Sequence, residues 1–107
     1  MHEIVVFVTA GSEEEGRKIS RILVEERAVA CVNLLPGMRS IFQWEGQVKE
    51  EQEVLLMAKT VSGAFERVTS LVRANHSYDV PEIIALPIQD GLPEYMSWVR
   101  ETTTSLG

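Results

Sequence analysis

The chain has 107 residues, of which 45% are hydrophobic and 24% charged, the balance of an ordinary globular domain with one core. Its net charge of −6 and the lack of a basic stripe exclude a nucleic-acid binder that works by neutralising phosphates. No apolar run approaches the ~20 residues of a membrane span. The N-terminus enters a strand-like run with no secretory signal pattern, and the single cysteine, Cys31, leaves no internal disulfide. The expectation is a cytoplasmic, single-domain protein over 1–107 that contacts neither nucleic acid nor membrane.

The first element is Ile4 to Thr9, a continuous β-branched run that suits a central strand covered on both faces. Ser12-Glu13-Glu14-Glu15 then opens a helix. Ser12 is expected to cap it, Glu15 to complete a capping box, and the three carboxylates to sit at the positive end of the dipole. Ile19, Ile22 and Leu23 form the inward stripe, with Gly16 on it for close approach to a sheet, while Arg17, Lys18 and Arg21 face water.

Next comes a long hairpin with arms Ala30 to Trp44 and Gln47 to Thr60, joined by Glu45-Gly46. A fourteen-residue arm spans on the order of 45 Å at ~3.3 Å per residue. A domain of this length is only ~35 Å across. The hairpin therefore overshoots its own globule or bends, and an overshooting hairpin exposes strand edges that a second copy of the chain can cover.

The pattern also demands a defect in the ladder. A two-residue loop pairs even residues of one arm with odd residues of the other and sets Val32 opposite Lys59. The apolar sets Ala30, Val32, Leu34 and Val54, Leu56, Ala58 require even with even. One extra residue has to intervene, because a one-residue slip turns every side chain to the other face. Pro36-Gly37 is the expected bulge.

Ser62 is expected to cap a second helix with inward Phe65, Val68, Leu71 and Val72 and with Arg67 and Arg73 exposed. The connector His76-Ser77-Tyr78-Asp79-Val80-Pro81-Glu82 leads to an edge strand, Ile83 to Ile88. Pro93 starts a third helix with Tyr95, Trp98 and Val99 at i, i+3 and i+4, and Thr102 to Gly107 frays. The order β-α-β-β-α-β plus a helix is an α+β, ferredoxin-like sandwich: an antiparallel sheet with two helices on one face. Cys31, Asn33, Leu35, Leu55 and Met57 then lie on the opposite face, where a neighbouring subunit fits.

Few residues offer chemistry. Cys31 is either a packed small hydrophobe or a soft ligand for copper(I). His76 is either a helix-end residue or a ligand. No zinc spacing and no phosphate-binding glycine loop is present. Lys59, at the inner end of an apolar strand, needs a carboxylate, an anionic ligand or a path to water. Trp44, at the hairpin tip, suits a subunit contact.

Taken in order, Ala30-Cys31-Val32-Asn33, Trp44-Glu45-Gly46, Lys59-Thr60 and His76 to Ile83, with Tyr95 and Trp98 after them, closely resemble the CutA divalent-cation tolerance family over nearly the whole chain. Ser77 and Asp79 depart from the proline and glutamate that the family's connector usually carries. The loss of the proline predicts a less rigid loop, while the acid is kept. The resemblance implies a tight homotrimer with intersubunit β-pairing, of the architecture of the trimeric PII signalling proteins. It also implies a non-enzyme of divalent-cation tolerance, and a cleft between subunits that involves Trp44, Lys59 and Tyr78. Copper or another divalent cation would be taken by Cys31 and His76. The alternative is a PII-like module that binds a small anion through Lys59. An acyl-phosphate hydrolase ranks last, because Thr9-Ala10-Gly11-Ser12 lacks the arginine that its anion loop needs.

Overall fold

The computed structural model describes residues 1–103. Strand β1 (Glu3–Ala10) is followed by helix α1 (Glu13–Glu25), the hairpin strands β2 (Cys31–Trp44) and β3 (Gln47–Val61), helix α2 (Phe65–Asn75), strand β4 (Ile83–Pro87) and helix α3 (Pro93–Thr102). The sheet order is β2-β3-β1-β4 and every neighbouring pair is antiparallel, the ferredoxin-like topology. Val6 and Val8 of β1, Leu56 and Ala58 of β3, Ile19 and Leu23 of α1 and Val68 and Val72 of α2 are fully or almost fully buried in one cluster. At Gly16 a β-carbon would come within 3.1 Å of Leu56 Cδ2, so glycine lets α1 lie close on the sheet.

The hairpin carries the predicted defect. Leu35 pairs with Leu55 and Met38 with Glu53, so Pro36 and Gly37 together oppose Val54 alone. Gly37 stands at φ +78°, a conformation that glycine adopts without steric cost. Inboard of the bulge, Val32 faces Ala58 and Leu34 faces Leu56; outboard, Ser40 faces Glu51 and Phe42 faces Lys49. Glu45 (φ 52°) and Gly46 (φ 77°) make the two-residue turn, both left-handed as a type I′ turn requires. The molecule measures 44 × 27 × 22 Å, its long dimension close to the reach of one arm.

Several local expectations are corrected. Ser12 does cap α1 by accepting from the Glu15 N–H, but the Glu15 carboxylate does not close a capping box; it accepts from Ser77 instead. Ser62 does not cap α2: it begins a single 3₁₀ turn, Ser62–Ala64, and its hydroxyl accepts from the His2 N–H. Arg67 is not free, since it donates to the Glu26 carbonyl and carboxylate. In α1, Ser20 is buried while Ile22 is only half-buried. In α3, Met96 and Val99 are the buried pair; Tyr95 and Trp98 remain about two-fifths exposed. Thr102 closes α3 and Thr103 is buried with its hydroxyl on the Val99 carbonyl; residues 104–107 lie outside the described residues.

Helix α1 ends without the usual glycine. Arg27 takes φ 59°, its N–H reaches the Val24 carbonyl, and the Ala28 N–H reaches that of Leu23, which is the Schellman pattern.

Candidate functional site

Two polar constellations flank the inboard half of the hairpin. The first is at its root. Cys31 is opposite Lys59 on the face away from α1 and α2, and Cys31 Sγ lies 3.3 Å from the Tyr95 hydroxyl of α3. That contact, then burial, pushes the Tyr95 phenol up to about 12. The Lys59 ammonium donates to Asn33 Oδ1 and, at 3.2 Å, to the Met57 carbonyl. Neither acceptor is charged, and no ion pair of Lys59 occurs among the described residues.

The second constellation is at the bulge. The connector after α2 crosses the end of β1, and side chains hold it there. His76 Nε2 lies 2.7 Å from the Thr9 carbonyl, so it carries the proton, and Nδ1 accepts from the Tyr78 N–H at 3.0 Å. Glu15 accepts from the Ser77 N–H and hydroxyl at 2.7 and 3.1 Å. The Tyr78 hydroxyl donates to Glu53 at 2.9 Å, which satisfies a carboxylate on a residue only 8% exposed. Burial first, then Glu53, raises the Tyr78 phenol to about 12. Gly11 makes room for the ring, since a β-carbon there would stand 3.1 Å from its hydroxyl oxygen. Ser77 supplies two of these donors.

Cys31 and His76 are not brought together within one protomer. Cys31 is opposite Lys59, which is opposite Val5; His76 holds on to Thr9. Four residues of strand separate those levels, about 13 Å. Both His76 nitrogens are already engaged, so a metal takes one only by displacing Thr9 or Tyr78. Among the described residues no three His, Cys, Asp or Glu side chains group to hold an ion. Trp44, 53% exposed at the tip, is twelve strand residues from Lys59, on the order of 40 Å. Of the expected cleft, one protomer supplies the root and the bulge end separately.

The sequence reading missed Glu15 and Glu53, which fasten the connector. The only local hint was their acidity beside a polar, aromatic loop. It also missed the scale of the apolar display: Leu35, Ile84 and Leu86 on the sheet, and Ile41, Trp44 and Val48 on the arm, are all between 47% and 71% exposed.

Fold and polar sites together define a ferredoxin-like α+β protein with an arm beyond its core. Residues 4–102 match the model of the CutA1 divalent ion tolerance protein family, and the chain belongs to that family. It is 52% identical over 101 residues to the divalent-cation tolerance protein CutA of Thermus thermophilus, covering 94% of this chain and 98% of that one. The solved Thermus structure superposes with a TM-score of 0.93 over 95% of this chain and 99% of that one. The periplasmic divalent cation tolerance protein CutA of Archaeoglobus fulgidus gives 0.92 at 39% identity, over 95% and 99% of the two chains. The PII-like protein CutA of Nostoc gives 0.87 at 36%, over 94% and 97%. Against the chloroplastic protein CutA of Arabidopsis thaliana, 46% identical over 94% of this chain, it spans 55% of the relative's length.

Proposed function

We propose that this chain works as a cytoplasmic, non-catalytic homotrimer of divalent-cation tolerance that takes copper or another divalent cation at or near the clefts between its subunits. The observation that carries the reading is the pairing of a long arm with an uncovered sheet face. Ile41, Trp44 and Val48 on the arm, and Leu35, Ile84 and Leu86 on the sheet, are apolar surface that a second copy can bury. Assembly also supplies what one protomer lacks, because it can bring donors from different chains to one cleft. In this reading Cys31 offers a thiolate to copper(I) and His76 an imidazole once its bonds open. Copper(I) titration tests the ligands: Cys31→Ser and His76→Ala should each weaken binding, and unchanged affinity in both removes them. Sedimentation of the protein and of Trp44→Ala tests the assembly; a persistent monomer of the unaltered chain defeats it.

A second reading is favoured by Lys59. Its ammonium is held by a side-chain amide and a carbonyl, which leaves its charge for an anionic ligand, as in a PII-like signalling module. A thermal-shift screen with nucleotides and organic anions, repeated on Lys59→Ala, decides it. A stabilising anion whose effect persists in that variant removes Lys59 from the site.

A further inference from the structure

The outboard arm is a lever with one side-chain tether. Strand β1 stops at the bulge, its last pair being Ala10 with Val54, so from Met38 and Glu53 outward β2 and β3 pair only with each other. The ladder is weakest at that level. Pro36 has no N–H to give, Gly37 stands at φ +78°, and beyond its chain neighbours no atom lies within 4 Å of where its β-carbon would be. Little in the backbone resists a pivot there. Among the described residues, one side-chain hydrogen bond runs from the outboard ladder to the rest of the protein, from the Tyr78 hydroxyl to Glu53 at 2.9 Å. Glu53 partners Met38 in the first pair beyond the bulge, so the tether acts on the arm beside its pivot. Its carboxylate, on a residue only 8% exposed, needs that donor.

The other end of the tether is gripped by the core. The Tyr78 N–H donates to His76 Nδ1, and His76 Nε2 donates to the Thr9 carbonyl of β1. Glu15 of α1 accepts twice from Ser77. The His76 and Tyr78 rings pack with their centroids 4.7 Å apart. Gly11 leaves the Tyr78 ring little slack, since a β-carbon there would stand 3.1 Å from the hydroxyl oxygen. The start of the connector therefore touches both the core and the pivot.

We propose that Tyr78 is a positioning residue that passes the place of the connector to the arm. While its hydroxyl stays on Glu53, the arm leaves the core at one angle; when the connector shifts, the arm turns at Pro36-Gly37. The coupling is reciprocal, so a partner that moves the arm also moves the connector. The link lies within one chain and rests on neither the metal nor the anion reading. In the homotrimer proposed above, where the arm reaches a neighbour, it makes that subunit contact responsive to the connector.

The test follows amide chemical shifts and hydrogen exchange in the isotope-labelled protein. Glu15→Ala removes an anchor of the connector without touching the arm. It should shift the amides of Ser77 to Val80 and also those of Met38, Arg39, Gln52 and Glu53. In a Tyr78→Phe background the same substitution should still shift the connector, while the outboard response disappears. Glu53→Gln, which keeps an acceptor, should preserve the transmission, and Glu53→Ala should abolish it. Tyr78→Phe alone should speed exchange of the outboard amides about tenfold or more and leave Val6 and Leu56 within about twofold. Outboard amides that stay in place when Glu15→Ala moves the connector, or that respond equally in the Tyr78→Phe background, overturn the link. So does an outboard exchange rate that Tyr78→Phe leaves unchanged.

Discussion

One hairpin contains two different structures. Inboard of Pro36-Gly37, even residues pair with even, Leu56 and Ala58 are fully buried, and the strands belong to the core. Outboard, even residues pair with odd, no residue from Ile41 to Gln52 is buried, and the strands hold only each other. Both halves are antiparallel ladders of the same two strands. The difference lies in what the side chains meet, and a ladder alone therefore does not make a strand part of a core.

The largest expected effect separates the halves by cavity formation. Leu56→Ala should lose about 2–5 kcal/mol in denaturant unfolding, while Lys49→Ala, at an exposed outboard site, should lose less than about 0.5. Equal losses would erase the distinction. Next is the bulge itself: Gly37→Ala should cost about 1–2 kcal/mol, because alanine is strained at φ +78° although no atom lies near it. A neutral result would mean that the bulge is free to move.

The two tyrosines brace opposite ends of the inboard half, Tyr95 at Cys31 and Tyr78 at Glu53. Both phenols are raised from 10.0 to about 12, so their neutral forms are favoured in the folded state. That contribution is fully present below pH 10 and fades as pH rises through about 12. Absorbance titration should show tyrosinate forming near pH 12 in the folded protein; ionisation near pH 10 would disprove the bracing. The smallest effect belongs to the arm. Arg39 and Glu50 stand 3.9 Å apart with both side chains more than half exposed. A double-mutant cycle should return no more than about 1 kcal/mol.

Much of this was legible in the sequence, and for one reason. A period of two can be counted, so the conflict between the turn and the apolar pattern located the bulge before any coordinates. Helix α3 was less legible because Tyr95, Met96, Trp98 and Val99 permit two stripes on one short helix, and only its docking selects Met96 with Val99. The contacts that fasten the connector were not legible at all. Glu15 and Ser77 are 62 residues apart, and nothing near either names the other. The candidate metal ligands read plausibly as residue types, but His76 spends both nitrogens on backbone groups and Cys31 sits at another level of the sheet.

The bulge also sets a rule for how such an arm can evolve. It fixes a phase: every outboard residue owes its face to the odd count of residues, Met38 to Trp44, between Gly37 and the turn. Losing or gaining one residue on a single strand would turn the tip inside out, and Trp44 would exchange faces with Gln43. Reach can change only by dipeptides added to both strands together, a step of about 7 Å. Arm lengths among proteins built this way should therefore differ in multiples of four residues, a spacing that simple alignment of their hairpins can check.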